Sequence, residues 1–193
     1  MPTAPVDVPA ARPTAPDTRT GHPTIGIGVG MQWLFGEAES GRSHSDITSW
    51  GITPALQLAY PFHRHAAVEA WGSWASFQAA SDCRGCEGRS LTAGLGVSLH
   101  LLDGTPLDPW MFVGVGYRRT TLETPLTGAL TYQGIEALRL ALGFDNYLAP
   151  AFGIGPSVEM MVGRYLDRSP GSIASGTAHI SFSFGLRGVF RPF

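Results

Sequence analysis

Few side chains in this 193-residue sequence are spaced for chemistry. His179-Ile180-Ser181 is the one possible base–nucleophile pair: two residues apart on a strand, the two side chains share a face. A serine hydroxyl needs such an adjacent base before it becomes nucleophilic. Cys83-Arg84-Gly85-Cys86 could be redox-active, metal-binding or a plain disulfide. A structural zinc site takes about four ligands, and neither a second cysteine pair nor a nearby histidine accompanies this one. There is also no βαβ context for a thioredoxin-like role. A local Cys83–Cys86 disulfide pinning a loop, in an oxidising compartment, is the simplest reading. No metal and no cofactor are expected. Gly26-Ile-Gly-Val-Gly30 is not a phosphate loop, because it alternates within a strand and no helix follows it. His63 and His65 read as an exposed turn pair.

The elements that must position these residues are strands. Residues 1–22 carry five prolines and no aromatic, Ile or Leu, so they read as a disordered Pro-rich tail. No signal peptide is visible in the tail. From Pro23 onward the hydrophobic period is two. In Thr24–Phe35 the odd positions are Ile25, Ile27, Val29, Met31, Trp33 and Phe35, and the even ones are largely glycine and polar. Seven further segments repeat the pattern: Trp50–Phe62, His65–Phe77, Ser90–Leu101, Pro109–Tyr117, Gln133–Phe144, Pro150–Gly163 and Thr177–Phe190. Long polar connections alternate with short ones, so an up-and-down meander places four long loops at one end and tight turns at the other.

Composition decides what the apolar face meets. Charged residues are 15% of the chain, against about 25% in soluble proteins. The net charge is −2 and all thirteen cationic residues are scattered arginines, so no nucleic-acid partner is expected. No run of about 18 apolar residues exists to make a transmembrane helix. The second face of each strand is mainly Gly, Ser, Ala and Thr, a poor solvent face but a good filling for a narrow barrel. Aromatics gather toward the strand ends. Trp33, Phe35, Trp50, Trp74, Phe77, Tyr117, Tyr132 and Tyr165 lie toward the long-loop end. Tyr60, Phe62, Trp110, Phe144, Tyr147, Phe152, Phe190 and Phe193 lie toward the other. Two aromatic girdles around an aliphatic band mark the two interfaces of a membrane. The fold class expected is therefore all-β: an eight-stranded antiparallel up-and-down transmembrane β-barrel over residues 23–193.

The eight alternating strands, the long-loop/short-turn asymmetry and the terminal Phe193 resemble the small bacterial outer-membrane barrels of the OmpA and OmpX type. The resemblance implies an outer-membrane location, contact with lipid and lipopolysaccharide, a monomer, and an aromatic C-terminus at Phe193 that the barrel-assembly machinery reads. One departure is phase, since Phe190 and Phe193 lie on opposite faces and Pro192 is expected to mark a bulge or an edge break. The other is the missing export signal, and no C-terminal peptidoglycan-binding domain is expected after strand eight.

Alternation places Glu69, Arg118, Arg139, Glu159 and Arg187 inside the barrel, with Gln32, Gln57, His100 and His179. Buried charges must be paired, so a Glu159–Arg139 pair with Arg187 nearby is expected. His179 and Ser181 are similar to the His-x-Ser pair of PagL-type lipid A deacylases, but no Glu follows Ser181 and both side chains point inward. No catalytic residue is assigned. The expected role is structural or interfacial, with four extracellular loops on a narrow, charge-paired barrel. The alternatives are a narrow channel for ions or small apolar solutes, a lipid A-modifying enzyme, and a soluble lipocalin-like barrel.

Overall fold

The computed structural model describes residues 20–39, 41–102, 106–171 and 177–191. The chain forms β1 (Thr24–Glu39), β2 (Arg42–Ser43), a 3₁₀ turn (His44–Asp46), β3 (Thr48–His63), β4 (Ala66–Ala79) and β5 (Glu87–His100). It continues with β6 (Leu107–Thr124), β7 (Gly128–Ala149), β8 (Phe152–Ser169) and β9 (Ala178–Phe190). β2 is a two-residue ribbon folded back on the end of β1. The other eight strands pair antiparallel in chain order, and β1 also pairs with β9, from Ile25↔Phe190 to Gly36↔His179. The sheet closes into a ring, so no edge is left whose unpaired N–H and C=O groups would face hydrocarbon.

Side-chain parity sorts the two faces. Ile27, Leu56, Leu95, Val115 and Leu186 are exposed on the outside, whereas Gln32, Thr53, Ser98, Arg118 and Glu136 are buried within. A lipocalin-like pocket needs the reverse, an apolar interior, and this polar, filled interior excludes it. Interior glycines make room for interior rings. A Cβ on Gly94 or Gly116 would lie 2.9 or 2.8 Å from the Trp71 indole, so the ring rests directly on their backbone.

The girdles keep Trp33, Phe35, Trp74 and Tyr117 at the upper rim, and Tyr60, Phe62, Phe144, Phe152 and Phe190 at the lower. Phe77, Trp110, Tyr132 and Tyr165 do not belong to them. All four point inward and are at most 5% exposed. Parity, not height, decides: Trp110 shares a face with Phe112 and Arg118, and Tyr165 with Met161.

The strands also outrun the expected ones, most of all at the β6–β7 connection. There the segment read as a loop is a hairpin turning through residues 125–127. Thr121 and Thr131 hydrogen-bond across it (3.1 Å), and Leu122 and Tyr132 are buried, so alternation and packing carry the strands onward. At the lower rim, Gly21 N–H donates to the Pro61 carbonyl (2.9 Å), tying the chain to the barrel just before β1. The tail expected over residues 1–22 lies outside the described residues up to 19, and so does Phe193.

Candidate functional site

The lumen is the only place among the described residues where buried charges converge, and it is layered. At the upper rim the 3₁₀ turn folds over the opening. Ser43 caps it: its Oγ accepts from Ser45 N–H, while its own N–H donates to Asp46 Oδ2 (3.2 Å). Beneath it a small apolar core forms from Ala38, Ile47, Cys86, Leu122, Tyr132 and Tyr165, with Cys83 packed against it. Cys83 and Cys86 form a disulfide with their Cα atoms 5.6 Å apart, so the loop they pin is part of this cap. His44 reaches down from the turn and is fully buried 5.6 Å from the Tyr165 ring. Burial, with the positive charge of Arg118 and the ring of His179 close by, lowers the His44 pKa to about 3.

Below the cap lies a charge cluster drawn from five strands. Arg118 Nε donates to Glu136 Oε1, its Nη1 to Ser90 Oγ (3.1 Å) and its Nη2 to Ser181 Oγ (2.9 Å). His179 Nε2 donates to the same Glu136 oxygen (3.0 Å), and its ring stacks 4.3 Å from that of Tyr165. Tyr165 Oη donates to Thr120 Oγ1 (3.0 Å). Every nitrogen of the Arg118 guanidinium thus has a partner, which a buried cation requires. The cluster fits tightly: a Cβ on Gly163 would lie 2.6 Å from His179 Nε2 and 2.8 Å from Glu136 Oε2.

At mid-height, Arg139 Nε donates to Glu159 Oε2 (2.7 Å), and Nη2 donates to the same oxygen. The Arg139 guanidinium also lies 4.1 Å from the Trp71 ring centre and 4.7 Å from that of Phe112. Ser73, Ser157, Ser183, Gln57, Trp110, Arg139, Glu159 and Arg187 are among the residues that line a cavity of about 40 Å³ on one side of this layer. Arg187 stacks on Trp110 at 4.3 Å, and the Trp110 indole N–H donates to Asp145 Oδ1 (3.3 Å). A second cavity, of about 20 Å³, lies below and is lined by His63, Arg64, His100, Tyr147, Arg187 and Arg191 among others. There His100 Nδ1 lies 2.8 Å from Asp108 Oδ2, with Arg191 Nη2 at 3.6 Å from the same oxygen.

The five charged residues expected inside are all there, but they form no single network. Arg118 belongs to the upper cluster. Arg139 and Glu159 pair at mid-height, and Arg187 faces the cavity below them. Glu69 is buried alone on β4, without an ion pair among the described residues. Glu136, Arg118's carboxylate, escapes the alternation rule because β7 bulges: Gly163 faces Glu136 while Val162 faces Leu138, so Ala137 is the extra residue. Above the bulge the inward parity is even, and below it odd. Asp108 and Asp145 needed no such device. They continue the inward parity of Trp110 and Arg139, one step beyond the expected strand ends. His179 and Ser181 are joined to Glu136 and Arg118 rather than to each other, and both are sealed from the bilayer-facing surface.

No protein-family model matches the chain, and no curated protein matches its sequence. Solved structures do. Neisserial surface protein A (NspA) is 10% identical and superposes with a TM-score of 0.53, over 87% of this chain and 96% of that one. Ail, the attachment invasion locus protein of Yersinia pestis, is 13% identical (TM-score 0.51; 89% and 99%). The outer membrane protein OprG of Pseudomonas aeruginosa is 15% identical (TM-score 0.55; 90% and 98%). The chain has the fold of the small eight-stranded outer-membrane barrels, and at these identities the likeness is one of fold.

Proposed function

We propose that this chain is an integral outer-membrane barrel with a closed lumen, working at its outer rim as a scaffold for surface contacts. The observation that carries this is the filling of the interior. The upper half of the lumen holds a packed cap and the Arg118–Glu136–His179 cluster, and the cavity at mid-height is about 40 Å³, space for a few water molecules. An aqueous pore needs a far wider ring of about 16 to 18 strands. The outer band of Leu, Ile, Val and Phe, bordered by aromatics, suits a bilayer. The upper rim is the outward end on this reading, since the lower rim carries the two-residue connections at 64–65 and 150–151 and the two ends of the barrel. The buried engagement of Ser181 with a guanidinium speaks for a non-enzymatic barrel.

The test has two parts. The chain is exported to the outer membrane of a Gram-negative host, and intact cells are treated with protease after a cleavage site is inserted at residues 125–127. Cleavage there, with none at a site placed at 64–65, is expected, and the reverse would overturn the orientation. The purified barrel is then placed in planar bilayers at neutral pH. Absence of steady conductance is expected, and a stable open channel would replace the scaffold with a pore.

A further inference from the structure

The two halves of the lumen treat their guanidinium groups differently. Each Arg118 nitrogen has an acceptor. Arg187 is 4% exposed, yet its Nε and Nη1 meet no acceptor among the described residues, and neither does Arg139 Nη1. Both arginines line the 40 Å³ cavity, where they outnumber its one carboxylate, Glu159, and that carboxylate already takes two hydrogen bonds from Arg139. Asp145 is close enough to Arg187 to interact with its charge, but its one hydrogen bond is from the Trp110 indole N–H and it is not in the cavity wall. The hydroxyls of Ser157 and Ser183 complete a polar lining. Below, Arg187 also walls the second cavity, whose other ionisable lining groups are Arg64, Arg191, His63, His100 and Tyr147. No carboxylate is among them, though Asp108 stands behind His100 and Arg191. A cationic vestibule thus leads from the lower rim to Arg187, and Arg187 is the shared wall between the vestibule and the mid-barrel cavity.

We propose that the mid-barrel cavity between Arg139 and Arg187 is a binding site for a small monovalent anion of halide size, reached from the lower rim through the vestibule. The anion would accept hydrogen bonds from the orphan guanidinium N–H groups and the serine hydroxyls. It would also satisfy guanidinium N–H groups that are costly to leave without an acceptor in a low-dielectric interior.

The probe is bromide, which quenches indole fluorescence, on the full chain folded in detergent in a gluconate buffer. Trp110 is in the cavity wall and Trp71 lies against Arg139, so bound bromide sits beside two indoles. A saturable quenching component is expected over the linear collisional one, and chloride is expected to displace it. Arg187→Gln should weaken bromide binding about tenfold or more, the worth of one hydrogen bond to a charged group. Ser183→Val, which takes up cavity volume and leaves the charges in place, should weaken it too, and keeps the test decisive if the arginine variant fails to fold. Folding is followed separately by the shift in gel mobility on boiling, so loss of the barrel is distinguishable from loss of the site. Purely linear quenching in the wild type would overturn the proposal in favour of a water-filled cavity. So would a saturable component unchanged in the folded variants.

Discussion

The upper and lower halves of the lumen draw on the same residue types and solve burial in opposite ways. Above, Arg118 meets Glu136, two serines and a methionine sulfur, and the whole is lidded by an apolar cap. Below, Arg187 has a ring to stack on and a cavity to face, but few acceptors. A narrow barrel can thus hold charge in two ways, by internal neutralisation in a dry core or by leaving room for solvent and small ions. The first is rigid and intolerant of change. The second leaves slack.

Three substitutions measure how far the two halves differ. Glu136→Ala removes the acceptor of a fully buried guanidinium and of His179, and should cost about 3–5 kcal/mol. Urea unfolding of the barrel in lipid vesicles measures it, and a loss below about 1 kcal/mol would show that the upper half is no more tightly matched than the lower. Gly163→Ala places a methyl against His179 and Glu136 and should cost about 1–3 kcal/mol in the same assay. Arg187→Gln gives up the stacking on Trp110 and should change stability by only about 1 kcal/mol.

The gentlest probe is pH. His44 is neutral under the closed cap because its pKa is lowered from 6.5 to about 3, with His179, Arg118 and Tyr165 as its buried neighbours. An exposed His44 would take a proton more readily, so the cap keeps its full stability above pH 6.5 and loses it as pH falls toward 3. Amide hydrogen exchange at residues 44–47 should accelerate over that window, ahead of the barrel strands. His44→Phe should flatten the dependence, and an unchanged profile in that variant would place the acid sensitivity elsewhere.

The architecture was readable in the residues because period two persists through every strand and the glycine face cannot serve as a solvent face. Lumen membership of Arg118, Arg139, Glu159 and Arg187 follows from the same count. What resisted reading was whatever depends on an interruption or an extension of the count. Glu136 enters the lumen only through the Ala137 bulge, and no local signal in Gln133–Leu138 announces an extra residue. His44 enters only because the connection after β1 folds back over the rim, a tertiary event. Three of the four inward aromatics, Phe77, Trp110 and Tyr165, were legible, since parity alone placed them, whereas Tyr132 lies beyond the Ala137 bulge and turns inward only because of it. Sorting them by height along the strand hid it.

The β1–β9 pairing sets Ile25 beside Phe190, so the first and last strands of the barrel end side by side on one rim. A ring joined this way has no privileged first strand. A short linker from Phe190 to Thr24, with new ends opened at the turn through residues 125–127, would yield a circular permutant with every strand neighbour preserved. In such a permutant the lumen clusters would stand unchanged while the order in which the strands are synthesised is altered. Native-like unfolding with altered assembly would then separate what the final fold requires from what its insertion requires.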